Sequence, residues 1–183
     1  MLNEERLRQK AASIIRAYGF VSTAESLKRY FDRIDTRISH ERDYIASRLD
    51  TMTQEDLSSI LVPIKQIGEL AERVARLFYN KIKVMNARLP REYPEQALQL
   101  RRFAFKWLKE YNARPKYITN LLVAIINSID DLKRRPNEHD LKKFITSSHA
   151  LEGHILDIFS DILTPRILME KDLARALAGK NPL

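Results

Sequence analysis

Apolar positions recur every three or four residues along most of the chain, and nowhere do they alternate with polar ones at the period of two that a half-buried strand needs. No Asn-Gly or Asp-Gly pair closes a hairpin between apolar runs. The pattern predicts an all-α fold, a helical bundle. Asn3, with Glu4 and Glu5 behind it, caps a first helix that ends at Gly19. Ser22-Thr-Ala-Glu25 has capping-box spacing and is expected to open a long helix to about Leu49. Its apolar positions Leu27, Tyr30, Phe31, Ile34, Ile38 and Ile45 form a narrow stripe beside dense mixed charge. Thr53 to Asp56 start a third helix, expected to be interrupted or kinked at Pro63.

A helix from Ile64 to Leu89 is predicted to stop at Pro90 and Pro94, with the next running from Pro94 to about Tyr111. Pro115 is expected to open another, through Leu132. Pro136 and Asn137 begin a long helix to about Leu163. Thr164-Pro165 then breaks the chain before a short helix ending at Gly179. The narrow N-terminal stripe points to residues 1–60 as a helical extension or hairpin that serves oligomerisation, beside a bundle domain over residues 61–183.

Composition narrows the chemistry. With 183 residues, 44% hydrophobic and 31% charged, the chain can bury a core and is not of the disordered class. The absence of cysteine excludes disulfides, thiolate metal sites and cysteine nucleophiles. The first residues, MLNEERLRQK, are charged at once, and the longest apolar run, Leu121 to Ile126, is far short of a membrane span. The expectation is a cytoplasmic protein of a prokaryote or a virus, without a membrane partner.

Charge changes the picture more. The net +8 lies entirely in residues 70–116, which hold 12 Lys/Arg against 4 Asp/Glu, while the segments on either side balance to zero. The same window holds seven of the fifteen aromatics. A concentrated field of one sign draws anions, nucleic acid above all. In the predicted 64–89 helix, Ile67, Leu70, Val74, Leu77, Phe78 and Met85 share a face, and Arg73, Arg76, Asn80 and Lys83 line another. In the next, Arg101, Arg102, Phe105, Lys106 and Lys109 lie mostly off the face of Leu100, Ala104, Trp107, Leu108 and Tyr111. The candidate phosphate contacts are therefore Arg73, Arg76, Lys81, Lys83, Arg101, Arg102, Lys106 and Lys109. Most aromatics are expected in the core, with Tyr79 and Phe105 as candidates for stacking on a base.

Catalytic motifs mostly fail. There is no Gly-rich phosphate loop, no GxSxG and no Walker lysine. His149 and His154 of HALEGH are five apart and do not share a helical face, so no metal and no cofactor is expected. Arg134 and His139 fit the Arg-x4-His pattern of HEPN-type ribonucleases, which leaves a ribonuclease as one alternative. A second is a structural adaptor whose basic helices dock on an acidic protein.

Arg76-Leu-Phe-Tyr79-Asn-Lys-Ile-Lys83 resembles the Arg-x-Phe-Tyr segment of the small helical subunit of type III-A (Csm-type) CRISPR interference complexes. Asp140 to Phe144, followed by Ala150-Leu-Glu152, resembles that family's C-terminal helix, so the resemblance covers about residues 64–160. The chain departs from the family where Glu72-Arg73-Val74-Ala75 replaces a Ser-Gln, where only Arg114-Pro115-Lys116-Tyr117 stands for a Leu-x-Pro-Lys-Leu-Ala-Tyr segment, and where His154 replaces an aromatic. The small subunit of the related type III-B (Cmr-type) complexes is equally helical and basic, so both families stay open. The resemblance implies a non-catalytic bundle, several copies of which contact a guide–target RNA duplex beside other protein subunits. Only Arg76, Tyr79 and Lys83 sit on its motif. RNA in preference to DNA follows from the resemblance alone.

Overall fold

The computed structural model describes residues 2–163 and 168–183. Within them lie α1 (Leu2–Ala17), α2 (Phe20–Ser47), α3 (Gln54–Glu92), a single 3-10 turn (Pro94–Gln96), α4 (Ala97–Arg134), α5 (Glu138–Leu163) and α6 (Leu168–Leu177). Among the described residues there is no strand, and the all-α expectation holds. The Thr164-Pro165 break lies outside the described residues.

Several boundaries follow from local chemistry. Gly19 ends α1 at φ +72°, a conformation that costs a residue with a Cβ energy. Thr53 and Asp56 form the reciprocal box that starts α3: the Thr53 amide donates to Asp56 Oδ2 at 2.9 Å, and the Asp56 amide donates to Thr53 Oγ1 at 3.2 Å. Asn137 caps α5 by accepting the Asp140 amide at 2.9 Å. Gly179, again at φ +72°, closes α6 in a Schellman motif, with Lys180 N–H on the Arg175 carbonyl and Gly179 N–H on that of Ala176.

Other boundaries correct the sequence reading. α2 begins at Phe20, so Ser22 sits in its first turn and turns its hydroxyl back to the Gly19 carbonyl at 3.4 Å. Pro63 does not interrupt α3, Pro90 does not end it, and Pro115 lies inside α4 instead of opening a new helix. Each proline forfeits one backbone hydrogen bond. Pro63 and Pro90 are buried, and burial of long apolar faces on either side outweighs so local a loss. The four helices expected between Thr53 and Leu132 are thus two, of 39 and 38 residues.

The chain forms two compact units, one of residues 1–26, 74–114 and 157–183 and the other of residues 27–73 and 115–156. The contacts do not divide it at residue 60, and the first 60 residues supply core to both units through Ala11, Ile15, Phe20, Phe31, Ile38 and Ile45. In the first unit α1 packs on α6. Phe78 of α3 sits 5.5 Å from both Phe20 and Tyr111, and Trp107 lies 5.8 Å from Tyr111, a run of aromatics through the interior.

In the second unit four helical stretches contact one another in a ring. Ser59 of α3 reaches Glu41 of α2, Gly68 of α3 abuts Leu122 of α4, Tyr117 of α4 stacks on His154 of α5, and Glu152 of α5 returns to Arg42 of α2. This is a four-helix bundle closed on itself. Its interior is partly polar: buried Arg42 donates to Glu152 Oε1 at 2.7 Å and to Ser148 Oγ at 3.0 Å. Asp35 is raised above the usual carboxylate range by burial and by the nearby Glu152 charge.

Candidate nucleic-acid interface

Sorting the charges by unit sharpens the picture from the linear sequence. Residues of the first unit carry 18 Lys/Arg and 10 Asp/Glu, while those of the second carry 14 of each. The whole +8 belongs to one unit, called the basic unit from here. Of the ten predicted contacts, Arg73 falls in the neutral unit, where it is exposed, and the other nine fall in the basic unit.

The structure uses some of those nine internally. Lys81 is half-buried and donates to the Tyr18 carbonyl at 3.0 Å, satisfying the end of α1, with its ammonium 6.0 Å from the Phe20 ring. Lys106 turns to α6, donating to buried Asp172 Oδ2 at 2.5 Å and to the Leu183 main-chain oxygen at 2.8 Å. Asp172 also accepts Trp107 Nε1 at 3.1 Å and the Leu183 amide at 2.8 Å. Arg102 reaches Asn181 Oδ1 at 2.5 Å. Lys81 and Lys106 serve the fold, and Arg102 pins the segment after α6.

The remaining candidates face solvent. On α3, Arg76 and Lys83 are exposed without a carboxylate partner among the described residues, and Lys83 lies 5.9 Å from the half-buried Tyr79 ring. On α4, Arg101, Phe105 and Lys109 stand four residues apart, so they occupy successive turns of one face about 6 Å apart. Phe105 is 72% exposed, whereas Phe78, Phe103, Trp107 and Tyr111 are buried. A large aromatic held in water between two cations forfeits its burial energy, which a base stacked on it would recover.

Comparison with protein-family models, with curated proteins and with solved structures returns no match. The site must speak for itself.

Sequence reasoning missed Arg91. It extends the exposed line Arg76, Asn80, Lys83, Ala87 by one further turn, visible only once α3 is known to pass through Pro90. Arg114, also in the basic unit, instead pairs with buried Asp161 at 2.6 Å. Burial pushes the Asp161 carboxyl up to about 6 even though Arg114 opposes it. Tyr111, fully buried with its hydroxyl unbonded, is raised well above its ordinary value by the same cause.

The alternative chemistries gain no geometry. Arg134 is exposed and reaches back to Asp131 at 3.9 Å, and His139 is exposed in the first turn of α5. His149 contacts Glu152 at 3.3 Å, Glu152 is held by Arg42, and His154 stacks on Tyr117. Among the described residues no group of three His, Asp or Glu is placed to hold a metal ion, and no helix is long and apolar enough to cross a membrane.

Proposed function

We propose that the chain is a non-catalytic, nucleic-acid-binding helical subunit that holds a strand by its phosphates through the basic unit. The observation that carries this reading is the confinement of the entire +8 to one of two units, with Arg76 and Lys83 of α3 and Arg101 and Lys109 of α4 exposed and without an ion-pair partner among the described residues. Arg offers a planar fork and Lys a mobile charge, and each phosphate neutralised releases a counterion, so contact is electrostatic and largely independent of sequence. Phe105 favours a strand with unpaired bases over a closed duplex, because only an unstacked base presents its face. The resemblance to the small subunit of type III CRISPR complexes supports RNA as the nucleic acid and a ribonucleoprotein, with further protein subunits, as the setting, whereas the preference for a single strand over the duplex that the resemblance implies rests on Phe105.

The test is fluorescence anisotropy of labelled single-stranded RNA, single-stranded DNA and duplex RNA over a salt series. Log affinity for single strands is expected to fall with log salt, with a slope of roughly 0.7 per phosphate neutralised. Arg76→Glu/Lys83→Glu and Arg101→Glu/Lys109→Glu should each lower that slope. Phe105→Ala should weaken single-strand binding by about 1–3 kcal/mol and leave duplex binding nearly unchanged. Failure of the folded wild type to bind any of the three at low salt overturns the reading and assigns the basic helices to an acidic protein partner.

A further inference from the structure

The basic unit has a groove whose lining includes none of the ten expected contacts. It has a volume of about 650 Å³ and runs between the first turns of α1, the 3-10 turn, α6 and the segment after α6. That volume lies within the range of small-ligand sites. Four cations line it, Arg8, Lys171, Arg175 and Lys180, against one acidic side chain in the lining, Glu4, with Glu170 beside Arg8.

The cations are differently prepared. Arg175 gives its Nε–H to the Asn181 main-chain oxygen at 2.9 Å, which fixes the guanidinium plane and leaves the terminal nitrogens for a ligand. Arg8 rests 3.6 Å from Glu170. Lys171 and Lys180 have no ion-pair partner among the described residues. One oriented fork, a second guanidinium that Glu170 partly neutralises, and two mobile ammonium groups can meet the oxygens of a phosphate. Leu7 and Leu177 supply apolar surface beside them, and the Asn3 and Gln96 amides can pair with the edge of a base.

The wall is pinned to the same helix that carries the exposed aromatic. Arg102 holds Asn181, and Lys106 holds Leu183, so α4 is tied to the segment after α6 that helps line the groove, and the same helix exposes Arg101, Phe105 and Lys109. The groove and the exposed Phe105 therefore belong to the same unit.

We propose that this groove binds one nucleoside monophosphate unit, its phosphate on Arg8, Lys171, Arg175 and Lys180 and its base or sugar against Leu7 and Leu177. The assignment of that unit to a strand, as opposed to a free nucleotide, rests on the strand-binding reading; the groove itself does not. The probes are adenosine monophosphate and adenosine, titrated by calorimetry, and a six-nucleotide RNA with or without a 5′-phosphate, followed by anisotropy. Adenosine monophosphate should bind at one site, with adenosine weaker by about tenfold or more, since the charge-assisted phosphate bonds are lost.

Lys171→Glu/Lys180→Glu should lose adenosine monophosphate by at least about tenfold while circular dichroism stays unchanged, because neither lysine serves the fold. Arg101→Glu/Lys109→Glu should change it by less than about threefold at physiological salt, where charges beyond the Debye length are screened. Tighter binding of the 5′-phosphorylated RNA, lost in the lysine variant, identifies the unit as a strand end. Equal binding of the two RNAs with retained nucleotide binding identifies a free nucleotide. Absence of adenosine monophosphate binding at millimolar concentration, or full binding by the lysine variant, overturns the groove even if long strands bind.

Discussion

The two units of this chain have the same number of charged side chains and use them in opposite ways. In the neutral unit, cations meet anions: Lys28 with Asp32 at 2.9 Å and Lys143 with Asp140 at 3.5 Å on helix surfaces, and Arg42 with Glu152 inside. In the basic unit the inward pairs, Lys106 with Asp172 and Arg114 with Asp161, also lock the fold, but a surplus is left over on the surface. Surplus charge of one sign repels itself and gives nothing to stability. Its confinement to one unit is the premise of the proposed binding role.

The largest test of that contrast reverses four exposed cations in each unit. Arg76→Glu/Lys83→Glu/Arg101→Glu/Lys109→Glu should lower affinity for single-stranded RNA by about a thousandfold and the salt slope by about 3. Arg33→Glu/Arg37→Glu/Lys65→Glu/Lys142→Glu, in the neutral unit, should change it by less than about threefold at physiological salt. Equal losses in the two variants would mean that net charge alone matters, and the contrast would dissolve.

For stability the roles exchange. Arg42→Ala strands buried Glu152 without its cation, beside half-buried Asp35, and should cost about 3–5 kcal/mol, read from urea unfolding. Arg101→Ala, on an exposed face of the basic unit, should stay within about 0.5 kcal/mol. A loss under about 1 kcal/mol for Arg42→Ala would show that its pairing does not hold the bundle.

How much of this was legible beforehand depended on the range of the interaction concerned. Caps act within four residues, so Gly19, the Thr53–Asp56 box, Asn137 and Gly179 were all readable. The prolines misled because their local penalty is visible in sequence, whereas the burial that overrides it is not. Phe105 could be suspected, since it falls off the apolar face of its helix. The inward turn of Lys81 and Lys106 could not, because Tyr18 and Asp172 lie more than sixty residues away along the chain. The groove was equally hidden. Its cations come from segments near the two ends, where local charge balances, and only the packing of α1 on α6 brings them together.

A pH series separates the units by their raised carboxylates. A folded-state pKa of about 6 for Asp161, against an unfolded value near 3.8, means that the folded protein holds this proton more tightly. Its contribution to stability therefore rises as pH falls from 7 through 6 towards 4, by up to about 3 kcal/mol. Asp35, raised in the neutral unit, acts with the same sign. Asp161→Asn should flatten the slope of unfolding free energy between pH 4 and 6 in part, and adding Asp35→Asn should flatten it further. An unchanged slope in both variants would place the titration elsewhere.

The smallest effect tests what the neutral unit has in place of surplus charge, namely close packing. A Cβ on Gly68 would stand 2.3 Å from Leu122 Cδ1 and 3.2 Å from its Cγ, so the whole Leu122 branch must move to admit a methyl group. Overpacking of this kind costs about 1–3 kcal/mol, against about 1 kcal/mol gained because alanine is the better helix former. Gly68→Ala should therefore destabilise by about 1 kcal/mol. Gly153, on α5 of the same unit, would place its Cβ in open space, so Gly153→Ala should stabilise by up to about 1 kcal/mol. Neither change alters a charge, and neither should move RNA affinity. Two alanines of opposite sign in one bundle would confirm that α3 and α4 meet where the glycine lets them.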